Sequence, residues 1–375
     1  MRLSKKVTRI IGAVLGSAAI FGAGFLTGQA NPPTTDRALD LRTFNRVEEL
    51  IRERYPQPVS NEDLELGATK GLVSGTGDPY SVFLTKEESS DLTKALAGEV
   101  EGIGVEVGER DGAITIIAPI AGTPADRAGL KSGDVVIGVD GAPTAGQNLD
   151  AIVKKIRGKA GTSVKLDIKS PGQAAREVVV TREKIKVPSV ALSYQDNVAV
   201  LVISRFGDDT KEGIEKAAAD IAAKKPRGVV LDLRGNPGGY LQGAVDVTSV
   251  FLKEGIVVKE QFAKGKTEDE RVTGNPQLPD IPLVVLVDKG SASASEITAG
   301  ALLDSKRATL VGEKTFGKGS VQDLINVGGG TLKLTIAEWL TPNGTSISKQ
   351  GITPQIVVSS ENRDAQLKAA IAQVK

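Results

Sequence analysis

Two glycine-rich segments carry side chains that could do chemistry. Residues 290–296 place three serines where a predicted strand meets a predicted helix, and residues 312–320 carry Lys318 among glycines. A helix start exposes free N–H groups and the positive end of the helix dipole, which suit both a nucleophile and an oxyanion. The serine segment also fits a plain helix cap, because Glu296 follows Ser293 by three residues.

The residue types that are missing narrow the chemistry further. The 375 residues include no histidine and no cysteine. A Ser-His-Asp triad, a papain-like thiol site and a histidine-rich zinc site are therefore excluded. A serine nucleophile here needs another base, and lysine is the remaining well-attested choice. The residues alone do not choose among Ser291, Ser293 and Ser295.

The lysine segment also imitates a phosphate-binding loop, which leaves a nucleotide-dependent enzyme as one alternative. Gly312, Gly317 and Lys318 have the spacing of that motif. The next residue is Gly319, however, where a serine or threonine would bind magnesium. A strand rather than a helix is predicted at residues 321–327. Both features weigh against a nucleotide site.

Strands and helices alternate around these segments from about residue 190 onward, which indicates an α/β domain. Strands are predicted at residues 198–204, 228–233, 281–287 and 309–312, and helices at 210–223, 241–251, from the serine segment to 303, and 362–374. Three glycines at residues 328–330 predict a hairpin turn between two strands.

Residues 97–184 have a different texture of short β-like runs. Strands are predicted at residues 103–107, 113–117, 135–139, 164–168 and 177–181, and helices at 125–128 and 149–156. Residues 102–105 (GIGV), 123–134 (TPADRAGLKSGD) and 139–141 (VDG) resemble a PDZ domain.

A PDZ-like domain predicts a peptide-binding groove at Gly102, Ile103, Gly104 and Val105. The turn exposes successive backbone N–H groups for a terminal carboxylate, and the strand after it offers an edge to an added peptide strand. A small β-domain whose glycines merely make turns is the plainer interpretation. The segment is no dinucleotide fingerprint, because position 107 is valine.

The amino terminus predicts export. Four basic residues precede an uncharged stretch at residues 10–28. That pattern fits a cleaved signal peptide or an uncleaved signal anchor within residues 1–30, with the remainder in the cell envelope outside the cytoplasm. Residues 31–96 predict a polar linker followed by helices, which need a partner surface on the main body or on a second copy.

Composition sets further bounds. The net charge of +1 and an aromatic content of 3% give no reason to expect nucleic acid as a partner. An exported chain without cysteine has no disulfides, so its stability must come from hydrophobic cores. About 345 residues beyond the signal suggest two or three domains.

Taken together, the segments resemble one family, the carboxyl-terminal processing peptidases, also called tail-specific proteases. The resemblance covers nearly all of the chain after residue 30 and rests on the PDZ-like motifs and on residues 78–81 (DPYS), 231–239 (LDLRGNPGG), 290–296 (GSASASE) and 317–322 (GKGSVQ). It implies a helical N-terminal region at 31–96, a PDZ-like β-rich domain at 97–184 and an α/β crotonase-like protease domain at 185–375.

The family pattern also assigns roles. It implies that Ser293 is the nucleophile, Lys318 the general base and Gln322 the residue that orients the lysine. A free lysine is neutral in only about one molecule in a thousand near pH 7.4, so the base must be buried to work. Phe316 and the neighbouring glycines are expected to form a tight, apolar setting for it.

An oxyanion hole is implied at two backbone N–H groups. One belongs to Ala294, after the nucleophile, and the second to Gly239, with Gly238 as the alternative. These glycines also fit a tight strand-to-helix turn, and both interpretations can hold together.

The expected function is an exported serine endopeptidase that captures the free, apolar C-termini of proteins or peptides and cleaves through an acyl-enzyme. No cofactor or metal is expected. Arg157, after the predicted helix 149–156, is expected either to sense the bound carboxylate or to be a solvated arginine. The N-terminal segment implies a membrane contact, and a homo-oligomer is an option. A non-catalytic envelope adaptor or chaperone is the alternative function.

Overall fold

A computed structural model describes residues 39–374 apart from 111, 360 and 361. The expected signal at residues 1–30 and most of the expected linker lie outside the described residues. Within the described part of the chain, no helix is long and apolar enough to cross a membrane. The chain divides into two compact units, the first ending at Ala68 and the second beginning at Thr69.

Two of the helices predicted within residues 31–96 begin in the first unit. Helix α1 (Arg42–Arg54) is followed by helix α2 (Asn61–Ser74), which continues past the end of this unit. Helix α1 ends just before Pro56, because the residue before a proline is pushed into an extended conformation. It buries none of its residues, and Phe44 and Val47 on one face are 51% and 50% exposed.

The second unit opens with a short strand and a helix. Strand β1 (Val82–Thr85) leads directly into helix α3 (Lys86–Leu96). Thr85 and Glu88 cap that helix reciprocally, since the threonine hydroxyl accepts from Glu88 N–H at 3.2 Å and the glutamate accepts from Thr85 N–H at 2.7 Å. Helix α3 is one of the helices predicted within residues 31–96.

A β-rich domain follows. Its elements are β2 (Glu99–Gly102), β3 (Val105–Arg110), β4 (Ala113–Pro119), α4 (Pro124–Arg127), β5 (Val135–Val139), β6 (Ala142–Pro143), α5 (Leu149–Ile156), β7 (Ser163–Lys169), β8 (Arg176–Thr181) and β9 (Glu183–Lys186). One sheet has the order β3-β4-β5-β7-β8, with β6 beside β5. Strands β2 and β9 form a separate antiparallel ribbon at the entry and exit of the domain. Ile116, Ile152 and Leu166 are fully buried in its core.

The strand predicted at residues 103–107 begins two residues too early. The chain turns at Gly104, whose φ is +77°, and the strand begins only at Val105. A Cβ on Gly104 would lie 2.4 Å from the Cβ of Thr123. The residue must therefore be glycine on both conformational and steric grounds.

The remaining chain forms the predicted α/β domain. Its elements are β10 (Val190–Gln195), β11 (Val198–Ile203), α6 (Thr210–Lys224), β12 (Gly228–Asp232), α7 (Leu241–Phe251), β13 (Ile256–Phe262), β14 (Thr267–Arg271), β15 (Leu283–Val287), α8 (Ala294–Asp304), β16 (Thr309–Gly312), β17 (Ser320–Asn326), β18 (Gly330–Leu340), β19 (Ile356–Val357) and α9 (Arg363–Gln373). The main sheet has the order β10-β11-β12-β15-β16-β19 and is parallel except for β10.

Helices cover both faces of the main sheet. Because side chains alternate along a strand, Leu231 and Val285 pack with helices α6, α7 and α8, while Val230 and Val284 pack with Ile371 of helix α9. Burial on both faces explains the continuous apolar runs of these strands.

The α/β domain has a second sheet, of which only the hairpin of strands β17 and β18 was predicted. Strand β18 pairs with β17 along one edge, and with β1 and then β13 along the other, and β14 closes the sheet beside β13. Strands β1, β13 and β14 were missed. Strand β14 is a polar edge, and β1 is only four residues long, so neither carries an alternating apolar pattern.

Candidate functional site

The candidate site lies where neighbouring parallel strands β12 and β15 end. Ligand sites of α/β sheets form at the carboxyl ends of strands, where connecting turns meet. After β15 the chain reaches Ser293, which immediately precedes helix α8 and has φ +53° and ψ −117°. A non-glycine residue there is strained, and such strain concentrates at functional sites. A Cβ on Gly238, from the turn after β12, would lie 2.8 Å from the Cβ of Ser293.

The structure distinguishes the three serines that the sequence left open. Ser291 is fully buried, and its hydroxyl donates to the carbonyl of Leu233 at 2.8 Å. Ser295 is also fully buried and donates to the carbonyl of Asn236 at 2.9 Å. Ser293 alone of the three is partly exposed. The outer two hydroxyls are committed to the turn after β12, which leaves Ser293 as the accessible candidate for a nucleophile.

Glu296 joins the serine segment to the lysine segment. Its fully buried carboxylate accepts from the backbone N–H of Ser293 at 3.1 Å and of Lys318 at 2.9 Å, both at the same oxygen. Its other oxygen accepts from the Thr315 hydroxyl at 2.5 Å and from Gly317 N–H at 2.7 Å. One carboxylate therefore places the candidate nucleophile and base side by side. The capping pattern revealed its bond to Ser293, but no local signal revealed the bonds to the lysine segment.

The same contacts argue against a phosphate loop at residues 312–320. The N–H groups of Gly317 and Lys318 already donate to a buried anion. The segment then continues into strand β17 rather than a helix. Backbone N–H groups that are committed in this way are not free to hold a phosphate.

The Lys318 side chain is half-buried. Its pKa is lowered to about 8, mainly by burial and in part by the nearby charge of Lys333, while Asp78 and Glu296 act in the opposite direction. The Lys318 Nζ lies 5.3 Å from the centre of the Tyr80 ring. Loss of water around an ammonium favours the neutral amine, which is the form a general base requires.

The expected role of Phe316 in this setting is wrong. Its side chain is 56% exposed. The lysine segment is instead bonded to the buried Trp339, the only tryptophan of the sequence. The indole N–H of Trp339 donates to the carbonyl of Lys318 at 2.9 Å. The aromatic neighbour of the amine is Tyr80, in a motif that the sequence marked without giving it a role.

The structure brings Gln322 close to the lysine segment without a direct bond. The Gln322 amide nitrogen donates to the hydroxyls of Ser320 at 2.8 Å and Thr335 at 3.2 Å. Among the described residues, no hydrogen bond joins Lys318 Nζ to Gln322 or to the hydroxyl of Ser293. Catalytic hydrogen bonds are often open without substrate and tighten when it binds.

Two backbone N–H groups are available beside Ser293. Those of Ala294 and Gly239 have no hydrogen-bond partner among the described residues. Gly238 N–H, in contrast, donates to the buried Asn236 side chain at 2.9 Å. Gly239 is therefore the better placed of the two glycines to serve as a donor to an oxyanion.

The expected peptide-binding residues line a groove of about 260 Å³ in the β-rich domain. Gly102, Ile103, Gly104 and Val105 form one wall, and the N–H groups of Ile103 and Gly104 have no partner among the described residues. The opposite wall and floor are apolar and include Val153, Ile156 and Ile185. Strand β3 is an edge of its sheet, so an added strand can pair with it.

Arg157 lies at the rim of the same groove. It follows helix α5 directly and its side chain is exposed. Its guanidinium has no ion-pair or hydrogen-bond partner among the described residues.

In the part of the chain that the structure describes, no group of three or more acidic side chains could hold a metal ion.

Three family models match the sequence. The model of peptidase family S41 matches residues 197–358, that of the PDZ domain matches residues 115–170, and that of the activating protease CtpB N-terminal domain matches residues 26–88.

Whole-length relatives agree with these matches. The carboxy-terminal processing protease CtpA of Bacillus subtilis is 36% identical over 92% of this chain and 75% of the relative. The carboxy-terminal-processing protease of Bartonella bacilliformis is 36% identical over 95% of this chain and 83% of the relative. The solved structure of a photosystem II D1 C-terminal processing protease is similar with a TM-score of 0.54 and 28% identity, covering 88% of this chain and 90% of that one.

Proposed function

The chain belongs to the carboxy-terminal processing proteases of peptidase family S41 and is a serine-type peptidase with a PDZ domain, and from this premise we propose that it cleaves peptide bonds with a Ser293/Lys318 dyad. The observation that carries the dyad is the shared Glu296 carboxylate oxygen, which accepts from the backbone of both residues.

The proposed reaction begins with proton transfer. Neutral Lys318 Nζ takes the Ser293 proton as the serine oxygen attacks the substrate carbonyl carbon. The N–H groups of Ala294 and Gly239 stabilise the oxyanion. The ammonium then returns the proton to the leaving amine, and an ester remains on Ser293. Lys318 then takes a proton from water as the water oxygen attacks the ester, and the ammonium returns that proton to the Ser293 oxygen as the acid product leaves.

Digestion of an unstructured peptide tests the dyad. Wild type, Ser293→Ala and Lys318→Arg are incubated with it, and the products are followed by mass spectrometry. Both variants should be inactive, because guanidinium stays protonated and cannot act as a base. Activity in Lys318→Arg would show that the base lies elsewhere.

We further propose that the PDZ groove captures the free C-terminus of a protein substrate. Unpaired N–H groups of Ile103 and Gly104 would hold the carboxylate, the apolar floor would take the last side chains, and Arg157 at the rim would add a positive charge. Capture leaves the remainder of the tail free to reach Ser293.

Amidation of the tail tests this capture, because it removes the charge and leaves the side chains unchanged. Ser293→Ala should bind the free tail more tightly than the amidated one in calorimetry. Gly104→Pro should slow cleavage of tailed proteins more than cleavage of short peptides. Equal binding of the two tails would remove the carboxylate from the account and leave the peptidase assignment intact.

We also propose that the enzyme works in the cell envelope. The basic and apolar pattern at residues 1–30 supports export, and the half-exposed Phe44 and Val47 of helix α1 support association with a second copy. A reporter enzyme that is active only outside the cytoplasm, fused after residue 40, tests export. Sedimentation of the chain without residues 1–38, with and without Phe44→Glu, tests self-association.

A further inference from the structure

The DPYS motif at residues 78–81 reaches the candidate base through side chains. Asp78 accepts from the backbone N–H of Tyr80 at 3.0 Å and from the Ser81 hydroxyl at 2.6 Å. It also accepts from the hydroxyl of Thr335, on strand β18, at 2.5 Å. The Ser81 hydroxyl in turn accepts from the N–H of Thr335 at 3.0 Å. The motif is therefore bonded to the strand that lies beside Gln322.

These bonds have a fixed direction. Burial raises the pKa of Asp78, but the hydrogen bonds from Ser81 and Thr335 outweigh it, and the net pKa is below the usual value. An ionised carboxylate only accepts hydrogen bonds, so Thr335 must donate its single hydroxyl proton to Asp78. Thr335 can then only accept from its other neighbour, the Gln322 amide, and the 3.2 Å contact must come from Nε2.

The direction fixes which end of the Gln322 amide is free. Its nitrogen has two protons, and these go to Thr335 and Ser320. The carbonyl oxygen Oε1 can only accept and has no donor among the described residues. A neutral lysine amine offers two N–H donors and one lone pair. An amine that donates one N–H to Oε1 has its rotation restricted and can hold its lone pair toward the serine hydroxyl.

We propose that Asp78 and Thr335 are positioning residues that orient Gln322, so that Gln322 Oε1 receives a hydrogen bond from the Lys318 amine when substrate closes the site. This inference rests on the proposed Ser293/Lys318 dyad. The DPYS motif then takes part in the reaction indirectly. The Asp78 carboxylate orients the Thr335 hydroxyl, the hydroxyl orients the Gln322 amide, and the amide orients the Lys318 amine.

An electrostatic role for Asp78 does not explain its presence. Its negative charge raises the pKa of Lys318 and so opposes the neutral amine. The other charges that face Lys318 are Glu296, which acts in the same direction, and Lys333 of strand β18, which acts against both. Asp78 therefore works against the base through its charge, and its benefit must come from orientation.

Two nearly isosteric substitutions test the proposal. Thr335→Val removes the hydroxyl. Asp78→Asn introduces an NH₂ group that can donate to the Thr335 hydroxyl, so this hydroxyl no longer has to donate to residue 78. Each should lower kcat by about 10- to 100-fold with KM nearly unchanged, since small misplacement of a catalytic group has effects of that order. Thr335→Ser should restore kcat to within about threefold, because it keeps the hydroxyl.

A matched control lies on the same strand. Thr331 is also partly buried, and its hydroxyl is hydrogen-bonded to that of Ser89 at 2.8 Å, away from the chain of bonds to Gln322. Thr331→Val removes an equivalent bond and should leave kcat unchanged. Thermal unfolding of every variant separates lost orientation from lost fold, and Asp78→Asn stands in if Thr335→Val does not fold.

A double-mutant cycle and a pH profile exclude a merely structural effect. In the Gln322→Ala background, Thr335→Val should cause no further loss, because the group it orients is gone. Asp78→Asn should move the acidic limb of kcat/KM to lower pH while the plateau falls, since the loss of negative charge favours the neutral amine.

The outcomes separate the two proposals. An active Ser293→Ala or Lys318→Ala enzyme would overturn the dyad itself. If both are inactive while Asp78→Asn and Thr335→Val keep wild-type kcat, the dyad stands and the positioning role is wrong. Losses that multiply with Gln322→Ala would also overturn it, because they would show that Asp78 and Thr335 act independently of the amide.

Discussion

Ser293 and Lys318 are held in place in different ways. Ser293 is fixed by backbone, in a strained turn between a buried strand and a buried helix, with Gly238 packed against it. Lys318 lies in a loop between β16 and β17 and is held by side chains from distant parts of the chain. Trp339 binds its carbonyl, Glu296 its N–H, and the Tyr80 ring lies beside its amine.

The difference shows which contacts set the position of each of the two residues. The position of Ser293, the proposed nucleophile, depends on the core, so local changes there should show first as altered stability. The position and charge of the base depend on contacts between separate segments, so changes there should show first as altered rate and pH dependence. Glu296 contacts both sides, because its carboxylate accepts from the backbone N–H groups of Ser293 and Lys318.

The largest expected effect separates activity from stability at Ser293. Ser293→Gly should lower kcat by at least about 10⁴-fold, as loss of a nucleophile does in other serine peptidases. The same variant should be about 1 kcal/mol more stable than Ser293→Ala, because glycine adopts a positive φ without strain. Activity assays and urea unfolding measure the two effects. Equal stability of the two variants would mean that the turn stores no strain.

Glu296→Gln should damage both sides at once. The amide must point its NH₂ at backbone N–H donors, and the buried charge that accepts four hydrogen bonds is lost. We expect about a 100-fold or greater fall in kcat together with about 2–4 kcal/mol of lost stability. Steady-state kinetics and denaturant unfolding check this. A stable but inactive variant would show that Glu296 acts only on the base.

The pH dependence isolates the base side. Because the pKa of Lys318 is lowered to about 8, the neutral fraction and kcat/KM should rise as pH increases from 6 to 9, with a midpoint near 8. Lys333→Met removes a charge that lowers this pKa, so the midpoint should move to higher pH. Lys289→Met, on an exposed residue near Glu313, is the control and should leave the midpoint unchanged. An unmoved midpoint in Lys333→Met would contradict the account.

The smallest effect is expected at Ser295. Within the described part of the chain, its buried hydroxyl donates to a single acceptor, the carbonyl of Asn236. Ser295→Ala should lose about 1 kcal/mol of stability, the usual value for one hydrogen bond, and should retain cleavage. Calorimetric unfolding with a peptide assay measures both. Complete inactivity of a folded Ser295→Ala protein would move the nucleophile assignment away from Ser293.

Much of the fold could be predicted because its signals are local. Helix Leu149–Ile156 and strand Val135–Val139 were predicted to the residue, and the α/β alternation with a helical N-terminal region and a PDZ domain is confirmed. Strand Thr267–Arg271 has no apolar alternation, and the strand predicted at 103–107 begins only at Val105, after a turn at Gly104 whose close approach to Thr123 leaves no local signal.

The site divides in the same way. Segments 290–296 and 317–322 have local patterns, so their chemistry could be inferred. The family resemblance implied Ser293, but the physical reason for preferring it to Ser291 and Ser295 is burial, which a sequence pattern does not contain. The partnership of Thr335 with Asp78 joins residues 257 positions apart, and the three bonds from the lysine segment to Glu296 join residues 19 to 22 positions apart. Such contacts are set by packing and leave no periodic trace.

Covalent labelling tests the central claim most directly. A fluorophosphonate is added to the wild type, Ser293→Ala and Lys318→Ala, and the rate and site of adduct formation are followed by intact and peptide mass spectrometry across pH 6–10. We expect one adduct, on Ser293, formed at a rate that rises with a midpoint near pH 8 and falls at least about 100-fold in Lys318→Ala. An adduct on Ser291 or Ser295, or undiminished labelling of Ser293 without Lys318, would contradict the Ser293/Lys318 dyad.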